Sequence, residues 1–202
     1  MKLVGVAHNK LVHSRRIDRL GRLICDLIPQ NATVLDVGSG DGTLAYLIGE
    51  MRADVSIEGI DVHPRQDTPI RIASFDGVSL PFKDQEFDVV MFVDVLHHTA
   101  DPMVLLREAA RVARKAIIIK DHCDDGAFSN VTLRMMDWVG NKPHGVDLPY
   151  NYWKKARWNE AFSRLGVTPE SWTQQLNLYP PPIDWLCGRQ LHFIAALPVV
   201  SG

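Results

Sequence analysis

Short apolar runs alternate with amphipathic stretches along the first two thirds of the chain. From Ser14 to Ile28, the residues Ile17, Leu20, Ile24, Leu27 and Ile28 recur at helical spacing. Ser14 suits an N-cap, and Pro29 cannot continue the helix. The apolar run Thr33 to Val37 predicts a strand, and Thr43 to Met51 returns to the helical period. Val55 to Ile60, closed by Asp61, and Ile70 to Phe75 predict two more strands. The proline-bracketed segment from His63 to Pro69 is too short for a full helix between them. Phe87 to Val93 is nearly continuous apolar, as a strand covered on both faces should be. Asp101 and Pro102 then open a helix to about Arg114, and Ala116 to Ile119 predicts a fifth buried strand.

Beyond that point the rhythm changes. Phe128 to Val139 and Trp153 to Leu165 are predicted helices, separated by a proline- and glycine-bearing loop from Gly140 to Tyr150. Thr168 to Leu178 and Leu191 to Leu197 predict a closing pair of strands, with Pro180 to Pro182 between them. Five strand–helix units and a terminal strand pair predict an α/β, doubly wound three-layer sandwich. Ligands of such sheets bind at the carboxyl ends of the strands, so candidate chemistry is sought there.

Composition narrows the classes. With 202 residues, 46% hydrophobic and 23% charged, the chain is expected to be one ordinary globular domain. The net charge of −2 leaves no large electrostatic footprint for nucleic acid. Arg107, Arg111, Arg114 and Lys115 are expected to form a solvated face of one helix. Cys25, Cys123 and Cys187 form no CxxC pair, so neither a zinc site nor a redox motif is indicated, and each is expected as buried apolar filler. Asp94, His98, Asp121 and His122 could serve a divalent metal but lack tight ligand spacing, and no metal is expected. The N-terminus lacks the apolar stretch of a signal peptide, and no run approaches the roughly 20 apolar residues of a membrane span. A cytoplasmic location is therefore expected.

The first strand ends in Asp36-Val-Gly38-Ser39-Gly40-Asp-Gly42-Thr43. Glycines at alternate positions let the backbone turn tightly and admit a ligand against it. A dinucleotide loop reads GxGxxG; here the third glycine falls one position early. Asp36 would repel a pyrophosphate and attract an ammonium; the lesser alternative is a strand-end cap bonded to loop amides. Asp61, after the second strand, could accept the hydroxyls of a ribose, or simply be solvated. Asp76, before Gly77, could accept an adenine amine, or serve only as a turn residue. Together the three carboxylates describe a ligand with a free ammonium, a ribose and an adenine.

Val34-Leu-Asp-Val-Gly-Ser-Gly-Asp-Gly42 resembles motif I of the class I S-adenosylmethionine-dependent methyltransferases. Gly59-Ile-Asp61-Val62, Phe75-Asp76-Gly77 with Leu80-Pro-Phe82, and Phe87-Asp-Val-Val-Met-Phe-Val-Asp94-Val-Leu-His97-His98 resemble the next three motifs in order. The likeness covers about residues 15–121 and is strongest to the small-molecule branch that includes quinone-biosynthesis methyltransferases. It implies a Rossmann-like sheet of about seven strands with the last antiparallel, and S-adenosylmethionine as cofactor. On the same ground, Asp36, Gly38, Ser39 and Gly40 would hold the methionine part. Asp61 would take the ribose with Val62 beside the adenine, Asp76 and Gly77 the adenine edge, and Val93 and Asp94 the sulfonium side. The segment from Asp61 to Ile70 is shorter than the family's usual second crossover helix, which would leave that wall open.

The implied reaction is methyl transfer by in-line displacement, governed by alignment. A base is needed only for an acceptor proton of high pKa, and His98 or His122 is the candidate. His97, His98, Asp121 and His122 are all expected on the cofactor rim, although His97 and His98 could simply cap the following helix. The expected partner is a small-molecule acceptor, with no nucleic acid and no membrane span. It would be recognised by the N-terminal arm, with His8, His13, Arg15 and Arg16, and by the insertion from Asp124 to Lys155. That insertion carries Met135, Met136, Trp138, Asn141, His144, Tyr150, Tyr152 and Trp153, although Met135, Met136 and Trp138 could be an ordinary core face. The single domain then divides into a helical arm (1–30), a cofactor-binding core (31–121), an acceptor cover (124–166) and a strand pair (167–202). A cofactor-binding protein without transfer activity is the alternative; Asp36 and the Gly42-Thr43 step argue against a nicotinamide dehydrogenase.

Overall fold

The computed structural model describes residues 15–141, 150–181, 184, 188 and 190–199. Seven strands form one sheet: β1 (Thr33–Val37), β2 (Ser56–Asp61), β3 (Ile72–Ser74), β4 (Phe87–Val93), β5 (Ala113–His122), β6 (Ser171–Thr173) and β7 (His192–Pro198), in the order β3-β2-β1-β4-β5-β7-β6. Neighbours from β3 through β5 pair in parallel, whereas β7 runs antiparallel to both β5 and β6. This is the Rossmann-like arrangement with its last strand reversed. The order turns between β1 and β4, so their carboxyl ends frame a crevice.

Alternating side chains of the central strands feed two cores. Leu35, Val37, Val90, Phe92, Ile117 and Ile119 pack with α3 (Pro102–Val112) and α5 (Lys155–Arg164). Val34, Val89, Met91, Ile118 and Ile194 pack with α1 (residues 15–25) and α2 (Thr43–Met51). The carboxylate of Asp101 accepts the Met103 N–H at 3.0 Å and Pro102 occupies the first turn, so α3 starts where the sequence indicates. A ring cluster of Trp153, Trp158, Trp172 and Phe193 ties α5 to β7, with Trp172 stacked on Phe193 at 4.1 Å. No described helix is long and apolar enough to cross a membrane.

Several boundaries move for physical reasons. β5 begins at Ala113, three residues before the predicted start, because Ala113 pairs with Phe87 while Arg114 and Lys115 reach the carboxylate of Asp88 at 2.9 and 3.2 Å. The expected basic helix face is therefore split: Arg111 on α3 braces Glu108, Asp84 and the carbonyls of Leu80 and Phe82 instead of facing water alone. β6 and β3 shrink to three residues each, β6 paired with Ile194, Ala195 and Ala196 of β7 and β3 with Gly59, Ile60 and Asp61 of β2. The helix α4 (Ser129–Asn141) lies one to two residues off its predicted place. Trp153 sits outside α5, buried in the ring cluster. Residues 62–71 contain no helix, as the short spacing after Asp61 implied. Cys123 is buried and Cys25 half-buried; Cys187 lies outside the described residues.

Candidate functional site

The turn after β1 is built around left-handed glycines. Gly38 has φ +76°, and a Cβ there would stand 2.5 Å from Val95 Cγ2. Gly40 has φ +60°, and a Cβ there would meet nothing within 4 Å. The first glycine is required by packing, the second by its backbone angle, and its open face borders a cleft. α2 follows with Gly42 at its N-cap; Asp41 Oδ1 accepts the Thr43 N–H at 3.0 Å, and the N-terminal end of the helix dipole faces the same bend.

The cleft measures about 610 Å³, the size range of small-molecule sites. Its wall includes Asp36, Gly38, Ser39, Gly40, Val93, Asp94 and His122, together with Arg16, His97, Met136, Tyr179 and His192. Asp36 is 4% exposed and no basic side chain of the described residues pairs with it. Burial raises its pKa from 3.8 to about 7, and the nearby charge of Asp61 adds to the rise, opposed only by a hydrogen bond from Ser39. A buried carboxylate facing a cleft without a cation is suited to a ligand that brings one. Asp61 stands behind the bend, where Oδ2 accepts the Gly40 N–H at 2.9 Å and Oδ1 accepts the His63 N–H at 2.8 Å. Asp76 is exposed at the end of β3; its Oδ1 accepts the Val78 and Ser79 N–H groups, which lowers its pKa. Val62 reaches toward Gly77, and both lie beside the cleft wall rather than on it.

The opposite wall is made of side chains. Asp94 leaves β4 at φ +58°. Its Oδ1 pairs with Lys120 and its Oδ2 with Arg16. Burial works against its charge, but Lys120, Arg16, His122 and His192 hold its pKa well below the carboxylate range. Lys120 is fully buried, which lowers its own pKa, with Asp94 acting to restore it. Asp121 receives His97 Nδ1 at 2.7 Å, the His122 N–H at 2.7 Å and the Leu96 N–H at 3.0 Å. His122 Nδ1 lies 3.4 Å from Asp121 Oδ1 and 3.7 Å from Asp94 Oδ1, so it bridges two carboxylates. Burial, then His97, lowers its pKa below 6.5 and keeps it neutral. His98 stands behind His97, ring centroids 4.0 Å apart, and does not line the cleft.

The sequence reading placed Asp94, His97 and His122 here but missed Lys120 and His192. The available signals were a lysine continuing the apolar run Ala116 to Ile119, and a histidine inside the apolar run Leu191 to Leu197. Of the acceptor-cover residues, Met136 lines the cleft and Tyr152 stacks on His97, whereas Met135 and Trp138 are half exposed. His144 and residues 142–149 around it lie outside the described residues.

Residues 35–118 match a family model described as a methyltransferase domain. The chain is 29% identical over 140 residues to the 2-methyl-6-phytyl-1,4-hydroquinone methyltransferase of Synechocystis sp., covering 64% of this chain and 39% of that protein. The chain spans about two fifths of the length of the curated relatives it matches. Among solved structures, it superposes on a SAM-dependent methyltransferase from Aquifex aeolicus with a TM-score of 0.60 at 15% identity, covering 89% of this chain and 88% of the other. It also superposes on the geranyl diphosphate C-methyltransferase of Streptomyces coelicolor, solved with S-adenosyl-L-homocysteine, with a TM-score of 0.65 at 13% identity, covering 90% and 75%.

Proposed function

We propose that the chain, whose residues 35–118 match the methyltransferase domain model, is an S-adenosylmethionine-dependent methyltransferase that methylates a small organic acceptor at the β4–β5–β7 end of its cleft. The observation that carries this reading is Asp36, a buried carboxylate with no cation of its own at the mouth of the glycine bend. When bound there, the cofactor supplies an electrophilic methyl group on a sulfonium. Asp36 neutralises the ammonium of its amino-acid part, while Gly38, Ser39 and Gly40 bring backbone against it. Asp61 takes the ribose on the lone pairs left by its two amide bonds, with Val62 at the adenine face. Asp76 and Gly77 meet the adenine edge. Val93 and Asp94 border the methyl side.

The chain then aligns the acceptor and takes its proton. His122 Nδ1, facing Asp121 and Asp94, carries the ring proton, and Nε2 offers its lone pair as general base. Its place on the cleft wall supports His122 over His98 for this role. The acceptor cover, residues 124–166, contributes Met136 and Tyr152 around the bound molecule.

The test is calorimetry with S-adenosylhomocysteine at two pH values. A carboxylate with pKa about 7 is mostly protonated at pH 6 and mostly ionised at pH 8. The ligand's ammonium needs the ionised form, so affinity rises about tenfold from pH 6 to pH 8. Asp36→Asn binds weakly and loses the pH dependence. Wild type that binds no better at pH 8 than at pH 6, or a variant that binds as well, defeats the reading.

A further inference from the structure

His192 opens β7 and stands opposite His122 in the β5–β7 register. It is 2% exposed and lines the cleft. Lys120 Nζ lies 3.3 Å from His192 Nδ1. An ammonium has no lone pair, so Lys120 donates and Nδ1 must accept. Burial, then the charge of Lys120, holds the His192 pKa well below 6.5, and the ring is neutral. Its one proton is therefore on Nε2. That atom is buried and has no hydrogen-bond partner among the described residues. Arg16 Nε, on the same wall, is a second buried N–H without a partner, because the guanidinium reaches Asp94 through its terminal nitrogen.

Orphaned buried donors are rare, since each forfeits the hydrogen bonds it made to water. Two of them on one cleft wall call for an acceptor atom supplied from outside the chain. The charges around them already have partners within the chain: Lys120 and Arg16 are held by Asp94, and His97 is held by Asp121. The missing partner therefore need not carry a full charge. The rings of His122 and His192 are 4.8 Å apart, so the two address neighbouring atoms of one small molecule.

We infer that His192, with Arg16 beside it, anchors an oxygen of the methyl acceptor, and that the site selects molecules whose nucleophilic atom lies next to a carbon bearing a carbonyl or hydroxyl oxygen. The inference rests on the methyl-transfer reading for the word acceptor, and on the side-chain geometry alone for the donor. His192 acts on specificity: its Nε2–H fixes one atom of the bound molecule, while His122 serves the atom beside it.

Calorimetry on the full chain saturated with S-adenosylhomocysteine tests this with two probes, 4-nitrocatechol and 4-nitrophenol, which differ only in the neighbouring hydroxyl. Wild type binds 4-nitrocatechol at least about tenfold more tightly than 4-nitrophenol. His192→Phe loses that preference, and His192→Gln, whose amide nitrogen restores a donor, regains most of it. Affinity for S-adenosylhomocysteine stays unchanged in all three. No preference in wild type, or an undiminished one in His192→Phe, overturns the inference. Long-range ¹⁵N–¹H correlation spectra of wild type give an answer that does not depend on any variant folding. A proton on Nε2 is expected, and a proton on Nδ1 overturns the assignment. Wild type that fails to bind S-adenosylhomocysteine sinks the cofactor reading instead, and 4-nitrocatechol titrated into the chain alone then still reads the donor.

Discussion

A buried and a half-buried carboxylate stand at the ends of neighbouring strands, and they have opposite fates. Asp36 on β1 has no basic partner, and burial pushes its pKa up to about 7. Asp94 after β4 is gripped by Lys120 and Arg16, and its pKa is held far down despite burial. Both line the same cleft. The first keeps its charge uncompensated until a cation arrives. The second has its charge compensated within the chain, and organises two basic residues and two histidines into a wall. One side of the cleft is thus prepared for a ligand's charge, and the other for a ligand's shape and hydrogen bonds.

The strongest way to break that contrast is to remove one partner on each side. Lys120→Met leaves Asp94 with Arg16 alone in a desolvated position. Loss of one member of a buried pair costs about 3–5 kcal/mol, so urea unfolding near pH 8 should show a stability loss of that order. Asp36→Asn should do the reverse. The native pKa of Asp36 lies above its unfolded value, so the stability it contributes is full below about pH 4 and is lost as pH rises toward 7. Asn carries no such penalty. The variant should therefore be more stable than wild type at pH 8, with the gain shrinking as pH falls toward 4. Similar losses in both variants at pH 8 would erase the distinction between a waiting carboxylate and a satisfied one.

The two sides also differ in how far they could be seen in the sequence. The cofactor side is local. Asp36, Gly38, Ser39 and Gly40 all fall within residues 36–40, and their spacing states the geometry because a tight bend needs glycine where φ is positive. Its carboxylates follow at successive strand ends, which any alternating α/β pattern locates. The acceptor side is assembled from residues 16, 94, 120, 122 and 192, brought together by α1 and by the reversed strand β7. No periodicity joins those positions. Lys120 is hidden further because it continues an apolar run, and its burial depends on Asp94, a residue on another strand. Strand limits were misread where pairing decides them, as at Ala113, whose partner Phe87 draws it into β5.

A catalytic comparison within the acceptor wall gives the next largest effect. His122 and His98 are both near His97, but only His122 lines the cleft and bridges Asp94 and Asp121. With pools of small phenols and a labelled methyl donor, His122→Gln should lower turnover about a hundredfold, within the usual range for a positioned base. His98→Gln should change it little. The wild-type rate should level off above a pKa lower than 6.5, because burial and His97 disfavour the protonated ring. Equal losses in the two variants would place the base elsewhere on the wall.

The smallest effect sharpens the cofactor side, where Asp76 has two jobs to separate. Its Oδ1 accepts the Val78 and Ser79 N–H groups at 2.8 and 2.7 Å, which fixes the turn after β3. The other oxygen is free of the turn and is proposed to accept an adenine amine. Asp76→Asn keeps a carbonyl oxygen for the two backbone donors, so the melting temperature should stay close to that of wild type. Its amide NH₂ then confronts another donor, and S-adenosylhomocysteine should bind about three- to tenfold more weakly, the loss of one hydrogen bond at an exposed site. Asp76→Ala should lower both affinity and melting temperature, because it removes the turn bonds as well. If the asparagine variant binds as tightly as wild type while the alanine variant does not, Asp76 serves the turn alone, and the adenine edge is held by backbone near Gly77.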